Sequence, residues 1–97
     1  MHRISPPIVR SKRGSLVFFY TARAGKRPLS GQVELRQGGV IVATRALAVP
    51  PADADGLVQH ANELPLTDVG AGSYELRVTL SDARATVARA TSFVLRP

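Results

Sequence analysis

The clearest pattern of hydrophobic and polar positions lies near the C-terminal end of the chain. From residue 74 to residue 80 every second residue is apolar, and the residues between them are Glu75, Arg77 and Thr79. Successive side chains of a β-strand point to opposite faces of the sheet, so this alternation predicts a strand with one buried face. The predicted core face consists of Tyr74, Leu76, Val78 and Leu80.

A second strand is predicted at Leu16–Ala22, which is rich in aromatic and β-branched residues. One predicted face of this strand carries the side chains of Leu16, Phe18, Tyr20 and Ala22. The opposite face is apolar too, which favours a central strand that a neighbouring domain or a partner covers from outside. If that outer face is exposed in the isolated domain, it marks a docking surface, with Val17 and Phe19 as its candidate residues.

Turn residues separate the other predicted strands. Gly38 and Gly39 lie between Gly31–Gln37 and Val40–Val49, and two adjacent glycines suit a type I′ hairpin turn, whose central residues both need positive φ. Pro6-Pro7 cannot donate hydrogen bonds to a sheet. We therefore predict that residues 1–13 form a basic arm or at best an edge strand, ahead of a domain formed by residues 14–97.

The segments after residue 56 are less regular. Leu57–Glu63 is compatible with a short strand, an irregular segment or a helical turn, and Leu64–Leu66 predicts a short strand. A last strand is predicted from Ala85 to Leu95, with a β-bulge at Arg89–Thr91, where the alternation slips. Six or seven short strands without a persuasive helix predict an all-β sandwich or barrel.

Composition narrows the class of protein further. A chain of 97 residues has room for one domain. It contains no cysteine, which excludes disulfides and thiolate metal sites. The first residues lack the apolar stretch of a signal peptide. We therefore expect either a cytoplasmic protein or, preferably, a fragment of a longer chain.

The positive charge is concentrated at the start of the sequence. The net charge is +6; residues 1–27 contain seven basic residues and no acid, and residues 28–97 contain six arginines and seven acids. This distribution makes a polyanion-binding or nucleic-acid-binding segment the alternative function. Its candidate residues are Arg10, Lys12, Arg13, Arg23, Lys26 and Arg27. The same charges are also explained without a binding function, because basic residues on a solvated sheet edge prevent it from pairing with strands of other molecules.

Candidate catalytic and metal-binding residues are few. His60 has Glu63 three residues on, and Asp53 and Asp55 precede it, but a metal site needs three or four ligands at suitable spacing. A solvated loop histidine and turn-forming aspartates explain these residues better. No serine has the surroundings of a nucleophile elbow, and no glycine-rich segment has phosphate-loop spacing. We predict a protein that is not an enzyme and has no cofactor or metal.

One stretch of the sequence resembles a known family. The run Leu64–Val78, with glycine, a spacer and Tyr74 at the start of its alternating strand, is followed by Asp82 and by Phe93-Val94-Leu95. This order is similar to the closing half of bacterial immunoglobulin-like or fibronectin type III-like domains. It most resembles the C-terminal sandwich domains of exported bacterial proteins with a von Willebrand factor type A-like domain upstream.

The resemblance implies both an architecture and a role. It implies an immunoglobulin-like antiparallel β-sandwich of about seven strands without a disulfide, in which Tyr74 forms a tyrosine corner. It also implies a non-catalytic accessory domain that contacts a protein partner or an upstream domain of its own chain. Such a domain is expected to be extracytoplasmic or secreted as part of a longer protein. No catalytic residue is carried over.

Overall fold

The computed structural model describes residues 3–12, 14–23, 28–66, 69–82 and 84–95. Eight β-strands and no helix occur in this part of the chain. The strands are β1 (Arg3–Ile4), β2 (Ile8–Lys12), β3 (Ser15–Arg23), β4 (Ser30–Gln37), β5 (Val40–Leu47), β6 (Leu57–Pro65), β7 (Gly72–Ser81) and β8 (Thr86–Leu95). No helix in the described residues is long and apolar enough to span a bilayer.

The strands form two antiparallel sheets. In the first sheet β3 is central: β6 pairs along one side of it, and β1 and β2 pair with the two ends of its other side. Since β1 and β2 share that side, they are two parts of one edge strand, interrupted at residues 5–7. The second sheet has the order β5-β4-β7-β8. Counted in this way the described fold has seven strand positions, and the predicted all-β sandwich class is confirmed.

The hydrophobic core lies between the two sheets. Four inward side chains of β3 and four of β7 supply much of it, and they are the two alternating sets that the sequence predicts. The largest fully buried side chains are Tyr20, Phe18, Leu16, Leu35, Leu76, Leu80, Val33, Val58 and Val78. Removing this much apolar surface from water is the main source of stability for the fold.

Two local predictions about the turns and corners are confirmed. Gly38 and Gly39 have φ angles of +58° and +82° and join β4 to β5 as a two-residue hairpin. The Tyr74 side chain is buried, and its hydroxyl donates a hydrogen bond of 2.6 Å to the Gly70 carbonyl oxygen, four residues back. This is the geometry of a tyrosine corner.

Two other local predictions are wrong. The pairing of β7 with β8 keeps one register from end to end, so Arg89–Thr91 contains no bulge. The slip in the alternation arises because β8 is an edge strand, where an inward position such as Arg89 remains exposed. The bulge lies instead on β5, where the register shifts between Leu35 and Arg36 and leaves Val42 without a partner on β4.

The ambiguous segment before residue 64 is a strand. Leu57–Pro65 forms the single strand β6, which pairs with β3 over its whole length. His60 consequently lies in a sheet beside Tyr20, and its interpretation as a loop residue is wrong.

The acidic turn residues have the structural role that the sequence predicts. Asp53 accepts hydrogen bonds from the N–H groups of Asp55 and Leu57. Asp82 does the same for Arg84 and Ala85. Each carboxylate satisfies backbone donors in its own turn, as aspartates in turns commonly do.

Candidate docking face

The outer face of the first sheet carries apolar side chains that the fold leaves in contact with solvent. Residues paired directly across antiparallel strands lie on the same face, and Phe19 on β3 pairs with Ile8 on β2 and with Ala61 on β6. The exposed fraction is 61 % for Ile8 and 37 % for Phe19, and Ala61 is also exposed. Val17, two residues before Phe19, is half-buried on the same face. We call Ile8, Val17, Phe19 and Ala61 the docking face.

Charged residues border the docking face at one end. Val17 pairs with Arg10 on one side and with Glu63 on the other. The Lys12 Nζ atom lies 3.4 Å from a Glu63 carboxylate oxygen, which is an exposed ion pair across the sheet. Exposed pairs of this kind contribute about 0–1 kcal/mol, so they exchange partners readily.

The interrupted edge strand fixes the position of Ile8. Ser5, at the interruption, accepts a hydrogen bond of 2.9 Å from the Thr21 N–H through its hydroxyl oxygen, and its own N–H donates one of 2.8 Å to the Thr21 carbonyl. The Thr91 hydroxyl of β8 donates a hydrogen bond of 2.8 Å to the Pro7 carbonyl. These contacts hold the proline segment against both sheets, so that β2 begins at Ile8 in a defined register.

The basic residues predicted to bind polyanions are only partly described. Arg13, Lys26 and Arg27 lie outside the described residues. Arg10 and Lys12 lie on β2, and both are exposed. Arg23 lies at the far end of β3, six residues beyond Val17, which in a strand corresponds to roughly 20 Å. The described basic residues therefore do not form one continuous patch.

The inner side of the same sheet contains the most perturbed titratable groups. The Tyr20 hydroxyl lies 2.8 Å from His60 Nδ1, and the two rings meet edge to face with 5.4 Å between their centroids. Burial raises the pKa of Tyr20 to about 12 and lowers the pKa of His60. Among the described residues no three His, Asp or Glu side chains are placed to hold a metal ion.

The outer face of the second sheet is different in character. Arg36 contacts Glu34 at 2.7 Å, and Arg77 contacts Glu75 at 3.2 Å. Because β4 and β7 are paired, each arginine also stands opposite a glutamate of the neighbouring strand. The charges at the centre of this face compensate one another, whereas the centre of the docking face is apolar.

The sequence predicted Val17 and Phe19 as residues of the outer face but did not add Ile8 to them. Ile4 is buried and Val9 half-buried, while Ile8 points outward. The signal was available in the alternation: Ile8 and Val9 are adjacent, so they point to opposite faces of any strand.

No family model, no curated protein and no solved structure matches this chain. The described strands form an antiparallel two-sheet β-sandwich, which is compatible with an immunoglobulin-like fold.

Proposed function

We propose that this protein is a non-catalytic interaction module, which binds a protein partner or an upstream domain of its own chain through the docking face. The observation that carries the proposal is the exposed pair of Ile8 and Phe19, which lie side by side on the outer face of the first sheet. Clustered apolar side chains with a polar border are typical of protein-binding surfaces.

The strand order supports an assignment to the fibronectin type III-like group. In antibody constant domains, the fourth strand belongs to the same sheet as the first, second and fifth strands. Here the fourth strand position, β5, pairs with β4 in the other sheet. This order fits the fibronectin type III-like arrangement that the sequence resembles. On that resemblance alone we also propose that the domain is an accessory domain of a longer, exported bacterial protein.

Photo-crosslinking identifies what covers the docking face. We would place p-benzoyl-phenylalanine at position 8, 19 or 94 of the protein in its native cells. Val94 is the matched control, because it is an apolar strand residue with 63 % of its surface exposed on the other sheet. Positions 8 and 19 are expected to give one common adduct, which position 94 does not give.

Affinity measurements with the identified partner then test the proposal. Ile8→Asp and Phe19→Asp should each weaken binding by about tenfold or more, since burying a large apolar side chain contributes roughly 1.5–3 kcal/mol. Val94→Asp should bind as the wild type does. If positions 8 and 19 give no adduct beyond that of position 94, or if the aspartate variants bind normally, the proposal is wrong.

Polyanion binding is a separable outcome of the same measurements. A nucleic acid or another polyanion would be released steeply by salt, and its binding would be lost on replacing Arg10, Lys12 and Arg13 by alanine. Binding through the apolar docking face would persist at high salt and in that triple variant.

A further inference from the structure

We propose that the free edge of β5 is a second binding site, which accepts an extended strand from a partner that combines β-branched apolar residues with a carboxylate. This site is on the other sheet, so it is independent of the docking face. Peptide strands commonly add to an exposed sheet edge through main-chain hydrogen bonds, and side chains then determine specificity.

The two open sides of the sandwich differ in how they are protected. On one side, β8 and the interrupted edge strand lie together, and the hydrogen bond from Thr91 to Pro7 joins them. On the other side, β5 and β6 are the edges of their sheets. The described contact between them is a hydrogen bond of 3.3 Å from an Arg45 guanidinium N–H to the Glu63 carbonyl oxygen.

Each of the four edges carries features that discourage strand pairing, but on β5 they accompany an exposed, uncharged apolar segment. The interrupted edge strand has Pro6-Pro7 and the charges of β2, β6 has Glu63 and Pro65, and β8 is covered at Pro7. Charges, prolines and coverage are the usual means of blocking an edge. In contrast, β5 begins with three uncharged β-branched residues whose exposed fractions are 63 %, 49 % and 42 %: Val40, Ile41 and Val42.

The bulge at Val42 restricts what can pair with this edge. A bulge increases the local twist of a strand, which opposes stacking into a long flat sheet. The pairing of β5 with β4 is regular from Ala43 to Leu47. The edge therefore suits a short added strand that lies along Ala43–Leu47, with apolar side chains reaching the Val40–Val42 end.

The charge of Arg45 indicates whether the strand added to β5 comes from a different protein or from a second copy of this chain. Arg45 is exposed, and among the described residues its partner is a backbone oxygen rather than a carboxylate. β5 contains no aspartate or glutamate, so pairing β5 with itself in any register leaves Arg45 without a carboxylate from the added strand. A strand from a different partner, with an aspartate or glutamate opposite Arg45, supplies this carboxylate.

Two synthetic peptides test the proposal on the intact protein. The acidic probe is an acetylated octapeptide of alternating valine and threonine with one glutamate near its end, and the basic probe has lysine in place of that glutamate. The acidic probe should bind about tenfold more tightly, because one peptide forms an ion pair with Arg45 and the other repels it. Amide chemical-shift changes should be concentrated at residues 40–47.

Matched variants distinguish binding at the β5 edge from non-specific binding of the probes. Arg45→Glu should reverse the preference between the two probes, and Ile41→Lys should abolish binding of the acidic probe. Val94→Lys, on the opposite edge strand of the same sheet, and Phe19→Asp, on the docking face, should leave binding unchanged. Each variant is first checked for a wild-type circular dichroism spectrum.

Several results would overturn the proposal. They are equal binding of the two probes, an unaltered preference in Arg45→Glu, or shift changes at β2 or β6 instead of β5. A salt-independent dimer of the wild-type chain that Ile41→Lys dissociates would show that the occupant of the edge is a second copy. Failure of these tests leaves the docking face unaffected, because its variants are measured separately.

Discussion

The contact between Tyr20 and His60 predicts how stability changes with pH, and Tyr20→Phe is the variant that isolates it. The substitution keeps the buried ring and removes only the hydroxyl, which lies 2.8 Å from His60 Nδ1. His60 is half-buried, so water can reach part of the vacated partner. At neutral pH we therefore expect a loss of about 1 kcal/mol in the free energy of unfolding, the usual net contribution of one hydrogen bond.

At high pH the order of the two proteins should reverse. The pKa of Tyr20 is about 12 in the folded chain, raised by burial from 10.0. A raised pKa means that the folded state favours the protonated phenol. The contribution of the neutral Tyr20 side chain to the free energy of unfolding is therefore complete below pH 10.0 and is lost as the pH approaches 12. The wild type should lose about 1.4 kcal/mol per pH unit across that window, and its stability should fall below that of the variant near about pH 10.7.

Below neutral pH, His60 determines whether stability rises or falls with pH. Burial lowers its pKa in the folded chain, so the unfolded chain binds the proton more readily. The contribution of neutral His60 is complete above the unfolded pKa of about 6.5 and declines as the pH falls below it. Wild-type stability should therefore have a plateau between about pH 7 and pH 9.5, with a decline on each side for a different reason.

Urea unfolding followed by circular dichroism, at half-unit steps from pH 5 to pH 11.5, measures both curves. The variant and the wild type share all other titratable groups, so their difference reports on Tyr20 and its partner. If the two curves stay parallel through pH 11, the Tyr20 hydroxyl is not held neutral by burial, and the reasoning is wrong.

Two further predictions concern positions where the fold is tightly constrained. Tyr74→Phe should lower the free energy of unfolding by about 0.5–1.5 kcal/mol, since it removes the hydrogen bond to the Gly70 carbonyl. A change below about 0.3 kcal/mol in urea unfolding would mean that this hydrogen bond does not stabilise the fold. Gly31→Ala should cost about 1–3 kcal/mol, because the added Cβ would lie 2.8 Å from Val49 Cγ2 and 3.0 Å from Leu80 Cδ2. Gly70→Ala is its control, because no atom of the described residues lies within 4 Å of the added Cβ. Equal thermal shifts in the two variants would contradict the packing argument.

The elements that sequence could predict are those with a strong local signal. β7 alternates between apolar and polar residues from Tyr74 to Leu80, β3 is rich in aromatic and β-branched residues, and the turn at Gly38-Gly39 needs two residues that tolerate positive φ. The tyrosine corner at Tyr74 was implied by the resemblance to bacterial immunoglobulin-like domains, and the structure gives Tyr74 the expected hydrogen bond. In each case a few neighbouring residues determine the outcome.

The elements that were left open or predicted wrongly depend on contacts between distant segments. β6 has mixed polarity because it is an edge strand, and its pairing with β3 makes it a strand across the whole of Leu57–Pro65. The bulge at Val42 depends on how β5 meets β4, and the continuous apolar run Val40–Ala43 does not indicate it. No local pattern indicates which edge of a sandwich a strand occupies.

The same long-range placement determines which surfaces are available for binding. Val17 and Phe19 were candidates from the sequence, but only the pairing of β2 with β3 adds Ile8 beside them. In the sequence the apolar start of β5 has the composition of an ordinary strand, and only the order of the second sheet places it at a sheet edge. The two proposed sites also use different physical means: the docking face offers side-chain area, and the β5 edge offers main-chain hydrogen bonds with one charge. One partner bound to the face and another added to the edge would therefore respond differently to salt, with only the second weakened when the charge at Arg45 is screened.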